Sequence, residues 1–299
     1  MRYKIMTITV VALLCVAVIL GFMIFIVSTN QGGIAGNNTP VPTSEATPDG
    51  GIETSVPTEP PTEEPTPTPE PPLAGMIIGI DPGHQKKMNG GKEPCAPWGP
   101  EANSKANNTV MKTKTSSGTQ GKFTNQPEYI VTLDISLKLK AKLEALGATV
   151  VMTRETHDVD LSNIDRANIC NEAGCDVTLR IHCNGADKES VNGVEAWIRG
   201  VGDGTKEYKE LGEYEKQLAE ELLRYYVNST GAVNRGVKTS DDYTGLNWST
   251  VPSIIIECGF MSNEEEDNKL ASAEYQQQIA DGIANWLLNT KVLKQAEQE

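Results

Sequence analysis

The chain has 299 residues, a formal net charge of −14 and six cysteines. Seven of its acids lie in residues 31–75, and the rest of the chain is still net acidic. An acidic protein repels the phosphate backbone of nucleic acids, so we expect no nucleic-acid partner. The cysteine spacings match neither a disulfide-rich scaffold nor a zinc ribbon. They are compatible with a single disulfide but do not identify its two cysteines.

The N-terminus has the composition of a membrane anchor. Residues 5–27 are an uncharged run behind two cations, and as a helix this run is about 34 Å long, enough to cross a bilayer. A cleaved signal peptide is the alternative, but its apolar region is shorter and ends at a small-residue cleavage site. We expect residues 1–30 to be an uncleaved, single-pass signal anchor, with everything after them on the outer side of the cytoplasmic membrane. Cleavage would instead release a secreted protein.

Residues 31–75 have the composition of a disordered linker. The stretch 40–72 holds 11 of the chain's 17 prolines, and residues 31–75 contain no lysine or arginine. Such a segment buries too little apolar surface to fold, and its prolines keep it extended. Residues 76–299 then remain, which is enough for one sizeable domain.

The pattern of residues 76–299 alternates between strands and helices. Apolar runs predict strands, and helical spacing with capping signals predicts helices between them. The strands are expected at 76–81, 148–153, 176–183, 193–198, 235–238 and 253–259, and the helices at 127–146, 162–173, 206–227 and 273–288. This order predicts a single three-layer α/β domain, with helices on both faces of a mostly parallel twisted sheet.

Polar residues stand where three of the predicted strands end. His84 follows the first strand, and His182 and Glu257 lie near the ends of two others. The carboxyl ends of parallel strands share one edge of a sheet, which is where ligands bind. Imidazole and carboxylate groups are the usual ligands of catalytic zinc, so a metal site is a hypothesis for this edge.

The histidines of the chain and two of its glutamates, Glu128 and Glu257, also have to be weighed against a purely structural interpretation. His84 would be an ordinary turn residue, His182 a core histidine with a hydrogen-bond partner, and Glu128 an acid favoured by the dipole at a helix N-terminus. His157 lies in a polar loop and is expected to be exposed. Glu257 is the hardest to explain this way, because a carboxylate after three isoleucines is costly to bury without a partner.

Four segments in order resemble the zinc-dependent N-acetylmuramoyl-L-alanine amidases of the amidase-3 type, which are bacterial cell-wall hydrolases. The resemblance covers roughly residues 76–290. The segments are IIGIDPGHQ, PEYIVTLDISLKLKAKLEALGATVVMTRET, RANICNEAGCDVTLRIHCNG and VPSIIIECGFMSNEEED.

The resemblance implies a site and a reaction. His84, Glu128 and His182 would bind one Zn²⁺, and Glu257 would be the catalytic acid and base. The substrate would be peptidoglycan, cut at the amide bond between N-acetylmuramic acid and L-alanine. Asn184, just past His182, is a candidate for substrate contact. A protein activator is not identified by the sequence.

Two features depart from the common pattern. Arg180 stands where the family usually has a small residue, and it either contacts a substrate carboxylate or phosphate or pairs with an acid. Residues 86–125 form a long basic stretch, interpreted either as a rim over the cleft or as a solvated loop.

Two other functions are alternatives at this point. One is a non-catalytic, membrane-tethered peptidoglycan-binding protein on the same fold; the presence of Glu257 and of all three ligands disfavours it. The other is a metal enzyme that cuts a different bond, such as a peptidase or a sugar deacetylase.

Overall fold

The structure is a computed structural model that describes residues 70–97, 110–200, 206–290 and 293. They belong to a compact unit, Thr66–Glu299. The predicted anchor and most of the predicted linker lie outside the described residues. Within the part described, no helix is both long and apolar enough to cross a membrane.

Eight strands and six helices follow one another in the described chain. The strands are β1 (Ile77–Pro82), β2 (Asn89–Pro94), β3 (Met111–Thr115), β4 (Thr149–Met152), β5 (Val177–Asn184), β6 (Val194–Arg199), β7 (Asn234–Ser240) and β8 (Ser253–Phe260). The helices are α1 (Glu128–Ala145), α2 (Asn163–Ala173), α3 (Lys206–Thr230), α4 (Thr244–Asn247), α5 (Glu264–Leu270) and α6 (Ala273–Asn289).

Six strands form one sheet in the order β4-β1-β5-β8-β6-β7. Every neighbouring pair is parallel except β6 and β8, which run antiparallel. The expected α/β domain with a mostly parallel sheet is thus confirmed. All six strands predicted from the sequence are present, and β1, β5 and β8 lie side by side, which brings their carboxyl ends together.

One face of this sheet carries the hydrophobic core. Successive side chains of a strand point to opposite faces, so alternate residues of β1, β5, β6 and β8 pack against α1, α3 and α6. The core side chains of these strands include Ile78, Ile80, Val177, Leu179, Ile181, Val194, Ala196, Ile198, Ile254 and Ile256. Cys183 and Cys258 are free thiols buried in the same cluster, where they pack as small core residues.

The opposite face carries the polar residues and is covered in part by α2. This helix begins with the predicted capping box, in which Ser162 and Asp165 exchange hydrogen bonds, and ends at Gly174 in a left-handed conformation. A Cβ on Gly79 would lie 2.9 Å from the sulfur of Cys170, so glycine allows α2 to approach β1 closely. The second layer of helices is therefore in contact with the polar face.

The structure adds four elements that the sequence pattern did not predict: β2, β3, α4 and α5. Residues 86–125 were interpreted as a loop, but β2 and β3 form a two-stranded antiparallel sheet there. Helices α4 and α5 are short and lie beside β8 in the chain.

His157 is half-buried rather than exposed, with its ring edge-on to Tyr129 at 5.4 Å between centroids. All five described cysteines are free thiols.

Candidate active site

Three side chains from different parts of the fold converge at the carboxyl edge of the sheet. His84 follows β1, Glu128 is the first residue of α1, and His182 lies near the end of β5. Atom Oε1 of Glu128 is 3.2 Å from Nε2 of His84 and 3.2 Å from Nδ1 of His182. The three ligand atoms lie within 4.8 Å of one another, close enough to hold one metal ion. The structure thus brings together the three residues that the resemblance implied as ligands.

The backbone places His84 in an uncommon conformation. Its φ of 60° lies in the left-handed region, which costs a residue with a Cβ roughly 1–3 kcal/mol unless the surroundings impose it. The carbonyl of His84 accepts a hydrogen bond from Arg166 at 2.8 Å, and Nδ1 is 3.0 Å from the hydroxyl of Ser116. These contacts orient the ring and leave Nε2 facing Glu128, as outer partners of metal-binding histidines do.

Glu128 is held as an anion. It is buried, and it accepts hydrogen bonds from the backbone N–H groups of Thr119 at 2.8 Å and Cys183 at 3.0 Å. Burial alone would raise the pKa of Glu128, but hydrogen bonds with His182 and His84 hold it well below its ordinary value. Burial lowers the pKa of His182, which keeps that imidazole neutral. Two imidazoles and one carboxylate fit Zn²⁺ and leave a coordination position open for water or substrate.

Gly83 provides the space in which the cluster forms. Its N–H donates to the carbonyl of Ile181 at 2.8 Å, which ties the turn before His84 to β5. A Cβ at this position would lie 2.6 Å from the ring of His182 and 2.7 Å from that carbonyl. No side chain fits there without moving a ligand.

We expect Gly83→Ala to weaken zinc binding by about 10–100-fold, the range seen when the support of a metal ligand is disturbed. Competition with a chromophoric chelator measures the zinc Kd. Gly90→Ala is the matched control, because a Cβ on Gly90 meets no atom within 4 Å. Equal zinc affinity in both variants would contradict the close packing of Gly83 on His182.

Glu257 lies on β8 directly beside His182 in the parallel register. The side chain is half-buried, and its enclosed Oε2 has no hydrogen-bond partner in the described part of the chain. Burial, followed by the charges of Glu128 and Glu195, raises the pKa of Glu257 well above its ordinary value, against a smaller opposing effect of Lys238. A carboxylate with a raised pKa beside a candidate metal site is suited to acid and base catalysis.

Glu195 is the site residue that the sequence analysis missed. It lies on β6 opposite Glu257 and is buried. Its Oε2 accepts from Arg235 at 3.0 Å and Lys238 at 2.6 Å, and its Oε1 accepts from Trp197 at 3.1 Å. The available signal was a lone acid in the apolar run GVEAWI, which alternation places on the same face as the predicted site.

Asn184 and Arg180, the two candidates for substrate contact, have partners within the protein. The side-chain amide of Asn184 donates to Glu195 at 3.0 Å. Arg180 lies beneath the cluster, with Nη2 3.0 Å from Oδ2 of Asp81. Pairing with an acid, one of the two roles that the sequence allowed for Arg180, is thus present in the structure.

These features define a class of protein: an α/β domain in which two histidines and a glutamate that could hold a metal ion lie beside a carboxylate of raised pKa, an arrangement suited to a metal-dependent hydrolase. The family model for N-acetylmuramoyl-L-alanine amidase matches residues 78–289, more than half of the chain, so the chain belongs to that family. The family recognised from the four sequence segments is thereby confirmed. Hydrolysis of an amide in peptidoglycan is the activity for which the family is named.

Three relatives show the extent of the likeness. The N-acetylmuramoyl-L-alanine amidase LytC of Bacillus subtilis (strain 168) is 34% identical over 156 residues, which are 52% of this chain and 29% of LytC. An N-acetylmuramoyl-L-alanine amidase from Clostridium difficile 630 is 27% identical, with a TM-score of 0.55 over 71% of this chain and 95% of that one. Ami1 from Mycobacterium smegmatis shares the fold, with a TM-score of 0.63 over 75% of this chain and 99% of that one at 24% identity.

Proposed function

We propose that the protein is a zinc-dependent enzyme that hydrolyses the amide bond between N-acetylmuramic acid and L-alanine in peptidoglycan. The observation that carries the proposal is the convergence of His84, Glu128 and His182 beside Glu257 in a chain of the amidase family. When bound, zinc polarises the amide carbonyl and makes a water molecule more acidic.

The residues of the chain supply the proton transfers. Glu257 in its carboxylate form accepts a proton from the attacking water, and the resulting carboxylic acid returns that proton to the departing nitrogen of L-alanine. Its raised pKa favours the first step, because a more basic carboxylate accepts the proton of water more readily, and it keeps the resulting carboxylic acid protonated until the amine departs. Asn184 and Trp197 hold Glu195 in place, and Glu195 adjusts the basicity of Glu257.

We expect Glu195→Gln to move the acid limb of the kcat/KM profile to lower pH. Glu257 is active as a base only when deprotonated, and the negative charge of Glu195 raises its pKa, so neutralising Glu195 lowers that pKa. Lys238→Met should shift the same limb to higher pH, because Lys238 lowers the pKa of Glu257. Rates on a soluble muramoyl peptide across the pH range give both shifts. A shift of the acid limb in the same direction in both variants would contradict this electrostatic account.

A synthetic muramoyl-L-alanyl peptide tests the activity itself. The metal-free full chain, kept in mild detergent, should release no peptide, and added Zn²⁺ should restore release of a product with L-alanine at its amino end. Mass spectrometry identifies the product. A cut at another bond, or loss of acetate from the sugar, would instead support a peptidase or a deacetylase.

We further propose that residues 5–27 anchor the enzyme in the bacterial cytoplasmic membrane and that residues 31–75 connect it to the domain on the cell-wall side. The uncharged run, the cations before it and the proline-rich composition after it support this arrangement. Protease treatment of intact spheroplasts tests it. Loss of the domain with survival of a short N-terminal fragment is the expected result, and full protection would contradict it.

A further inference from the structure

A small cavity lies next to the metal cluster. It has a volume of about 130 Å³, and its wall includes His84, His182, Ser116, Arg166 and Arg180. That volume equals roughly four water molecules at about 30 Å³ each, enough for a carboxylate and one or two carbon atoms. The cavity therefore borders the candidate metal site and has room for a small anionic group.

Two buried arginines near this cavity make several hydrogen bonds each within the protein, and of their nitrogen atoms only Nε of Arg166 has no partner in the described part of the chain. Arg154 donates to the carbonyls of Pro82, Gly83, Tyr129 and Thr156 and to the hydroxyl of Thr132. Arg166 donates to Asp81, Gln85 and the carbonyls of Pro82 and His84. These guanidinium groups hold the turn around His84, and their role is structural.

Arg180 differs from both. It is 4% exposed, yet it makes no hydrogen bond to any residue that the structure describes, and its enclosed Nε has no partner there. Its only ion pair in that part of the chain is the 3.0 Å contact with Asp81, which lacks hydrogen-bond geometry. A buried guanidinium with free donors is costly unless something satisfies them.

The acids around Arg180 do not balance the cations. Asp81 also receives a hydrogen bond from Arg166 at 2.7 Å and one from the hydroxyl of Thr153. Glu128 is occupied by His84 and His182, and Glu93 accepts from the backbone N–H groups that open α2, Asn163 at 3.1 Å and Ile164 at 3.3 Å. A positive charge with unused donors is thus left facing the cavity.

We propose that this cavity is a subsite for a carboxylate of the substrate, bound by the guanidinium of Arg180. The proposal rests on the amidase function proposed above and specifies how that site selects its peptide. A guanidinium presents paired N–H donors that match the two oxygens of a carboxylate. An arginine therefore suits this position better than a lysine, whose ammonium group lacks that paired geometry.

The position of the cavity indicates which carboxylate binds. Its wall includes His84 and His182, so a carboxylate that reaches it belongs to a residue close to the cleaved amide. In an extended peptide the second residue reaches about 7 Å from that amide, at roughly 3.3–3.6 Å per residue. The acidic residue after L-alanine in the stem peptide is at that distance. The enzyme is therefore expected to distinguish a free carboxyl group on this residue from an amidated one.

Two synthetic muramoyl dipeptides test the proposal. They are identical except that the α-carboxyl of the second residue is free in one and amidated in the other. For the zinc-loaded full chain, we expect kcat/KM to be about 10–100-fold higher on the free acid, mainly through KM. In Arg180→Gln the two substrates should become nearly equivalent, while Arg180→Lys keeps part of the preference.

Arg180→Gln removes a partner of Asp81 and could misfold for that reason. A second variant keeps the proposal testable in that case. A Cβ on Gly245 would lie 2.2 Å from Nη1 of Arg180, and the flexible end of that side chain is what must move. Gly245→Ala therefore displaces the guanidinium without removing its charge, and it should also reduce the preference. Arg224→Gln, an exposed arginine on α3, is the control that should keep it.

The outcomes separate the subsite from the function. Equal hydrolysis of both dipeptides by the wild type, or an unchanged preference in both Arg180→Gln and Gly245→Ala, would overturn the subsite and leave the amidase activity intact. If the wild type cleaves neither dipeptide, calorimetric binding of each one decides. Tighter binding of the free acid would then support the subsite while the proposed function fails, and equal or absent binding would refute the subsite as well.

Discussion

Glu257→Gln is expected to lower kcat by about 10²–10⁴-fold, the usual contribution of a general acid–base group, and to leave the zinc content unchanged. The substitution keeps the size of the side chain but removes the carboxylate that accepts the proton of water. Glu257 stands beside His182 in the sheet, yet it is not one of the three clustered ligands. The loss should therefore appear in turnover rather than in metal binding.

The matched control for this variant is Glu265→Gln. Glu265 is an exposed acid on α5 whose carboxylate pairs with Lys269, so its neutralisation should leave turnover unchanged. Steady-state rates on the soluble muramoyl peptide, with zinc measured in the same samples, give the comparison. Wild-type turnover in Glu257→Gln would remove this residue from the mechanism.

Glu128→Gln is expected to weaken zinc binding by at least about 10²-fold, more than the loss of an outer-shell partner costs. The amide lacks the charge that neutralises the metal, and it cannot satisfy the N–H groups of Thr119 and Cys183 as two carboxylate oxygens do. Activity should fall in parallel and recover in part at high zinc concentration.

The same variant tests the charge of Glu128 in the metal-free protein. The pKa of Glu128 is depressed on folding, so its contribution to stability is present above the ordinary glutamate pKa and is lost as the pH falls towards the depressed value. The difference in unfolding free energy between wild type and Glu128→Gln should thus be largest near neutral pH and shrink in acid. Glu144→Gln, an exposed position on α1, is the control. A difference that is independent of pH would contradict the anionic state of Glu128.

Much of the fold was predictable because local signals agree with the tertiary structure. The capping box at Ser162 and the glycine at 174 fixed both ends of α2, and the apolar runs of β5 and β8 identified buried strands. Strand ends then placed His84, His182 and Glu257 on one edge of the sheet. None of this required knowledge of the family.

Glu128 was not predictable in the same way. An acid at the start of a helix is favoured by the helix dipole, so its local pattern gives no reason to expect a ligand. Its role depends on the close approach of α1 to the end of β5, which only the tertiary structure creates. The resemblance to a family supplied that information, and the geometry agrees with it.

The β2–β3 pair and Glu195 were missed for other reasons. Residues 89–94 and 111–115 are mostly polar, and their strands lie outside the main sheet. They lack the alternation of apolar and polar residues by which a half-buried strand is predicted. In the sequence Glu195 is an isolated acid. Only the pairing of β6 with β8 places it opposite Glu257. Cross-strand register, which composition does not encode, decides which acids become neighbours.

Digestion of purified peptidoglycan tests the central claim most directly. The zinc-loaded full chain and its Glu257→Gln variant are incubated with the same wall preparation, and the newly formed amino ends are labelled and identified. The account predicts zinc-dependent appearance of L-alanine amino ends with the wild type and almost none with the variant. Binding to the wall without new ends would contradict it and indicate a non-catalytic wall-binding protein.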